Sequence, residues 1–157
     1  MKAIHWIIAA AALAFVQAAP ASAGVNDPEV LIYRFPGVLD DGGASHVGVA
    51  TVFHCTNFSG GTESIRLVTR RADGSITINF PIAFNHLVTL SIATHLTAAY
   101  DGFGMTTGNV SQGTTAIAAT SVNVICTAMT IDAANEKPTF AVALRGIRFN
   151  PAPGSQE

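Results

Sequence analysis

Charge is what this 157-residue sequence has least of. Lys, Arg, Asp and Glu together make up 11% of it, under half of the roughly 25% of an average soluble protein. After residue 23 there remain seven basic and ten acidic residues, a net of −3, and Lys137 is the single lysine among them. A balance so thin and so slightly acidic excludes an electrostatic nucleic-acid binder, and the absence of like-charge runs excludes an acidic tail or a charge-driven disordered chain. The one tryptophan is Trp6, and there are only two cysteines, Cys55 and Cys126. The longest apolar run, Trp6 to Val16, is eleven residues, short of the ~20 that a membrane-spanning helix needs.

What that run does fit is an export signal. Lys2 supplies a positive start, the apolar stretch follows, and Ala21-Ser22-Ala23 offers the small-x-small pattern cut by signal peptidases. The sequence thus predicts a signal peptide over 1–23, cleavage before Gly24, a folded domain over 24–150 and a flexible tail over 151–157. The expected location is secreted or periplasmic. Without its first 23 residues the chain has 134 residues and an apolar content of about 44%, an ordinary globular value. This is one domain by size.

The remainder reads as β. Sixteen threonines and many Val and Ile suit pleated surfaces, and glycine-rich punctuation separates the runs. The apolar period is 2, not 3.6. Val47, Val49, Thr51, Phe53 and Cys55 share one face; so do Ile76, Ile78, Phe80, Ile82 and Phe84, then Val88, Leu90 and Ile92, then Phe140, Val142 and Leu144. Val30–Phe35 and Ser64–Arg71 complete the set, with Asp73-Gly74 as a tight-hairpin signal. After Gly146 the parity shifts to Ile147 and Phe149, which predicts a bulge at that glycine. Seven or eight strands with one apolar face each predict a two-sheet antiparallel sandwich. Thr, Ser, Asn and Gly are expected to cover its outward faces.

Cys55 falls on the Phe53 face, and Cys126 on that of Val122, Val124 and Ala128. Two inward cysteines in an exported chain predict a disulfide, here expected to bridge the two sheets as in immunoglobulin-like architecture. Its 71-residue separation corresponds to ~4 kcal/mol in the chain-entropy account. A transmembrane barrel, which also has alternating strands, would need aromatic girdles. With no Trp after residue 23 and several Phe on core parity, that architecture is disfavoured.

Chemistry is sparse. His46, His54, His86 and His95 include no H-x-H or H-x-x-x-H pair, so no metal site is predicted, and His54, His86 and His95 are the only histidine candidates for one. Cys126 and Met129 lack the nearby His of a blue-copper site. Gly108 to Gly113 misses the nucleophile-elbow spacing around Ser111 by one residue. Asp40-Asp41 is a carboxylate pair, but neighbours on an extended chain point to opposite sides, and Gly42-Gly43 after them makes the segment read as a turn. Asn57 and Asn109 head formal glycosylation sequons. The segment with most functional character is Ala98 to Thr115, whose four glycines surround Tyr100, Phe103 and Met105; long loops on rigid frameworks carry binding. The expectation is a non-catalytic binding or structural module with no cofactor. Its partner would be another exported protein or a cell-surface component, not nucleic acid. The alternatives are a surface-histidine metal carrier and a subunit that self-assembles through poorly protected strand edges.

Overall fold

The structure is a computed structural model that describes residues 24–149; the signal peptide expected over 1–23 and the tail expected over 151–157 lie outside the described residues. Ten strands follow in chain order: β1 (Val30–Asp40), β2 (Val49–Asn57), β3 (Glu63–Arg70), β4 (Ile76–Phe84), β5 (Thr89–Ala93), β6 (Phe103–Gly104), β7 (Val110–Ala119), β8 (Val124–Asp132), β9 (Ala141–Leu144) and β10 (Ile147–Arg148). No helix forms among the described residues. One sheet has the order β10-β1-β7-β3-β4 and the other β6-β5-β2-β8-β9. Every pairing is antiparallel except the two-residue contact of β5 with β6. The ten strands exceed the seven or eight expected: β6 and β10 are two-residue ribbons at sheet edges, and β7, central in its sheet, lies outside the runs that alternation marks.

The period-2 pattern works because each strand turns one row of side chains toward the facing sheet. Ile32, Phe35 and Val38 of β1, Ile65 and Leu67 of β3 and Ile117 of β7 meet Phe53 of β2, Ile92 of β5 and Val124 of β8 in one continuous core. Phe35 and Phe53 touch edge-on across the gap, with ring centres 5.6 Å apart. Burying side chains of this size is worth about 1.5–3 kcal/mol each. The Asp73-Gly74 hairpin forms as read: the Arg71 amide donates to Ser75 O, the Gly74 amide donates to Arg71 O, and Gly74 takes φ +83°.

Four expectations need correction. Cys55 and Cys126 are bonded, but they face each other in register on β2 and β8, neighbours in one sheet. The bridge is therefore within a sheet, not between sheets, and the immunoglobulin-like device is absent. Parity shows that both sulfurs point inward; it cannot show which sheet each strand joins. At Gly146 the chain does not bulge. It passes from β9 in one sheet to β10 in the other, and a Cβ there would stand 2.4 Å from the Phe35 ring. The threonines do not simply coat the outside, since eight of the sixteen are buried, among them Thr69 and Thr115, whose hydroxyls bond across β3 and β7. Finally, Val110 to Thr115 is the first half of β7, so the long connection is shorter than the sequence suggests.

Candidate functional site

The site is built where β1 runs past its own sheet and reaches β2. Thr51 joins the two: its hydroxyl donates to Leu39 O (2.9 Å) and lies 3.0 Å from the Leu39 amide, which donates back. The Asp41 amide donates to Val49 O. The strand ends at Asp40, so the rule that neighbouring side chains diverge on an extended chain stops applying at Asp41. Gly42 turns the backbone with φ +77°, and both carboxylates then serve one corner. Asp40, 1% exposed, accepts from the Gly42 amide at 2.7 Å and from the Thr107 hydroxyl at 2.9 Å. Asp41 accepts from the amides of Gly43 and Val49, both at 3.0 Å. Its carboxylate occupies the space where Gly48 would carry a Cβ, 1.8 Å away, which is why residue 48 has no side chain.

His95, just beyond β5, enters this corner from the other sheet and is 6% exposed. Its Nε2 is 2.9 Å from Val47 O; a carbonyl only accepts, so Nε2 carries a proton. Its Nδ1 stands 3.0 Å from Asp40 Oδ2 and makes no hydrogen bond. The ligand atoms of Asp40, Asp41 and His95 all lie within 4.8 Å of one another.

Beside the corner lies an open cleft of about 550 Å³, lined by His46, Leu96, Thr97, Ala98, Tyr100, Asp101, Gly102 and Glu136. Three loops frame it, and each is tied down. The His46 amide donates to Leu96 O, and the Ala98 amide to Ala133 O. Asp132 fixes the loop that carries Glu136: it accepts from the Asn135 side chain (2.7 Å), the Ala134 amide and the amide and hydroxyl of Thr139. Those bonds, led by Asn135, hold its carboxyl down at about 2. His46 adopts φ +63°, a left-handed conformation uncommon outside glycine.

The sequence-predicted contact loop divides. Met105 is 3% exposed and belongs to the core, so it is not a contact residue: its amide bonds Ala93 O and pulls it inward. Tyr100 packs over Val52, Ala93 and Ile131 on the outer face of the second sheet while one side of it lines the cleft. Phe103 is 44% exposed and approaches Phe80 at 6.4 Å, closing one edge of the sandwich.

The histidines do not converge. His54 is half-buried on the outer sheet face, where Nδ1 bonds the Ser91 hydroxyl and the ring meets Tyr100 edge-on at 4.5 Å; burial lowers its pKa. His86 is exposed and accepts from the Gly60 amide. Among the described residues only His95 joins a group of three potential ligands, with the two aspartates that the sequence reads as a turn. The bonded Cys126 provides no thiolate for copper. Asn57 is fully buried, with its amide group donating to Gly61 O and Phe84 O, whereas Asn109 is exposed.

No protein-family model matches the chain, and no curated protein does. Among solved structures, the Crystal Structure of Thermotoga maritima 1070 aligns with 83% of this chain and 100% of its own, at 14% identity and a TM-score of 0.49.

Proposed function

We propose that this chain is an exported, non-catalytic binding module that captures its partner, another exported protein or a cell-surface component, in the cleft between the 41–48, 96–102 and 132–139 loops. The observation that carries this reading is the cleft itself: about 550 Å³, within the range of ligand sites, and framed by loops held by hydrogen bonds instead of left free. Tyr100 offers a flat amphipathic surface, and Asp101 and Glu136 outweigh His46 in formal charge. That lining suits a neutral polar or cationic group of the partner and repels an anionic one. The buried disulfide agrees with a life outside the reducing cytoplasm.

The test is a photo-crosslinking amino acid placed at position 100, with position 140 as an exposed control, in the native exported fraction. A discrete adduct at position 100 that disappears in the Asp101→Asn/Glu136→Gln background supports the reading. Equal labelling at both positions, or none at 100, refutes it.

Self-assembly through strand edges is the second reading, favoured by β4: nine residues at a sheet edge without one charged side chain. Sedimentation showing a monomer across a hundred-fold concentration range would exclude it.

A further inference from the structure

We infer that Asp40, Asp41 and His95 form a site for one divalent transition-metal cation of the zinc class, independent of the cleft. The reasoning starts from His95. With its proton on Nε2, facing Val47 O, a neutral ring presents the lone pair of Nδ1 to Asp40 Oδ2 at 3.0 Å. Two lone pairs at that distance repel, and the side chain is too buried for bulk water to separate them. Either a proton or a cation must lie between them. A proton on Nδ1 would make this contact an ion pair, but the two atoms are not aligned as a hydrogen bond, and a cation set off the line between them meets both donors. Two donors each ~2.1 Å from one ion stand about 3.0–3.4 Å apart at right-angle to tetrahedral geometry, which is the spacing of His95 Nδ1 and Asp40 Oδ2; Asp41 brings a third ligand atom within 4.8 Å of both.

The surroundings have the form of a metal site's outer shell. A metal-binding imidazole commonly donates its other N–H to a backbone carbonyl, which fixes the tautomer, and its carboxylate partners are themselves hydrogen-bonded. Val47 O, the Thr107 hydroxyl and the amides of Gly42, Gly43 and Val49 fill those roles. One imidazole with two carboxylates favours a first-row transition ion over calcium, which takes six to eight oxygens. Asp41 is exposed, so solvent completes the shell on that side. Asp40 belongs to one sheet and His95 follows a strand of the other; the ion would clip the sheets together at the corner where the disulfide does not.

The experiment is isothermal titration of the disulfide-bonded protein, stripped with chelator, with zinc chloride, followed by X-ray absorption of the loaded sample. The expected result is saturation at one equivalent, a shell of one imidazole nitrogen and oxygens, and no displacement by equimolar calcium or magnesium. Asp41→Ala, an exposed position, should weaken binding ten-fold or more, and His95→Gln should abolish it. The His54→Ala/His86→Ala variant and Tyr100→Ala should bind as the parent does. Absence of saturable one-to-one binding overturns the inference, as does a folded Asp41→Ala that binds unchanged, or loss of binding in the His54/His86 variant. Should His95→Gln fail to fold, Asp41→Ala and the absorption spectrum still decide the matter.

Discussion

Replacing both cysteines, as Cys55→Ala/Cys126→Ala, removes a bond while leaving the sheet that contains it. The two residues are in register in a β2–β8 ladder that runs from Val49↔Asp132 to Asn57↔Val124. Nine paired positions persist without the bridge, so the native strands stay together. The loss falls mainly on the unfolded chain, which no longer carries a crosslink between residues 71 apart; the chain-entropy relation puts this at about 4 kcal/mol. Both cysteines are buried, and trimming two sulfurs from a packed core adds ~1–2 kcal/mol. The sum, about 5–6 kcal/mol, is a large share of the 5–15 kcal/mol that keeps a domain folded. Urea denaturation followed by far-ultraviolet circular dichroism measures it: with a slope of ~1.5–2 kcal/mol/M the midpoint should fall by about 3 M. The folded baseline should keep its β spectrum. A loss below about 2 kcal/mol would refute the argument that closing this long loop is what the bond contributes, and loss of the folded baseline would refute the sufficiency of the ladder.

Three further outcomes follow from particular contacts. Gly146→Ala drives a Cβ to 2.4 Å from Phe35, and overpacking of this kind costs ~1–3 kcal/mol; an unchanged melting temperature would show that the sheet crossing has room to move. The Asp132 carboxyl, held at about 2, contributes stability that is complete above the ordinary aspartate range and is lost as pH falls through about 2. Asp132→Asn should therefore flatten the acid limb of a melting-temperature profile below pH 4, and an identical limb would rule the assignment out. Burial lowers the His54 pKa below 6.5, so its neutral ring favours the fold above that pH, and the benefit is lost as pH falls through the lowered value. A proton NMR titration should find the His54 midpoint under 6.5, and a midpoint at or above it would contradict the burial.

Strand faces were legible because a half-buried strand can hide only alternate residues, and Phe53, Ile78, Phe80, Ile82 and Ile92 fall on the core side as alternation puts them; the same pattern failed at Phe140 and Val142, which are exposed at an edge strand. The disulfide pairing was legible for the same reason. Which sheet each strand joins was not, since parity is local and sheet order depends on contacts between segments far apart in the chain. Met105 shows a second limit: an apolar residue among glycines looks like a contact residue until the Ala93 carbonyl is seen to draw its backbone inward. The corner of Asp40, Asp41 and His95 was out of reach because its parts lie more than fifty residues apart. Its faint signal was the pair of aspartates followed by Gly42-Gly43 and, five residues on, Gly48. Glycines at 42 and 48 meet local needs, a left-handed turn and room for the Asp41 carboxylate, whereas the histidine that completes the corner comes from the other sheet.

The order in which the strands are dealt between the two sheets governs how this chain can fold. Odd-numbered β1, β3 and β7 go to one sheet with β4 and β10, while β2, β5, β6, β8 and β9 build the other. Neither sheet is a contiguous stretch of sequence, so neither can condense first and template its fellow. β1 must wait for β7 and then β10, and Cys55 for a partner 71 residues later. Such non-local pairing spends loop-closure entropy before any contact repays it, which places folding in the millisecond-to-second range of β-sandwiches. While it waits, the uncharged β4 segment is open to pairing with other chains. The interleaving thus makes the domain all-or-none: β9 and β10 complete an edge of each sheet within eight residues of one another, and their docking finishes both layers together.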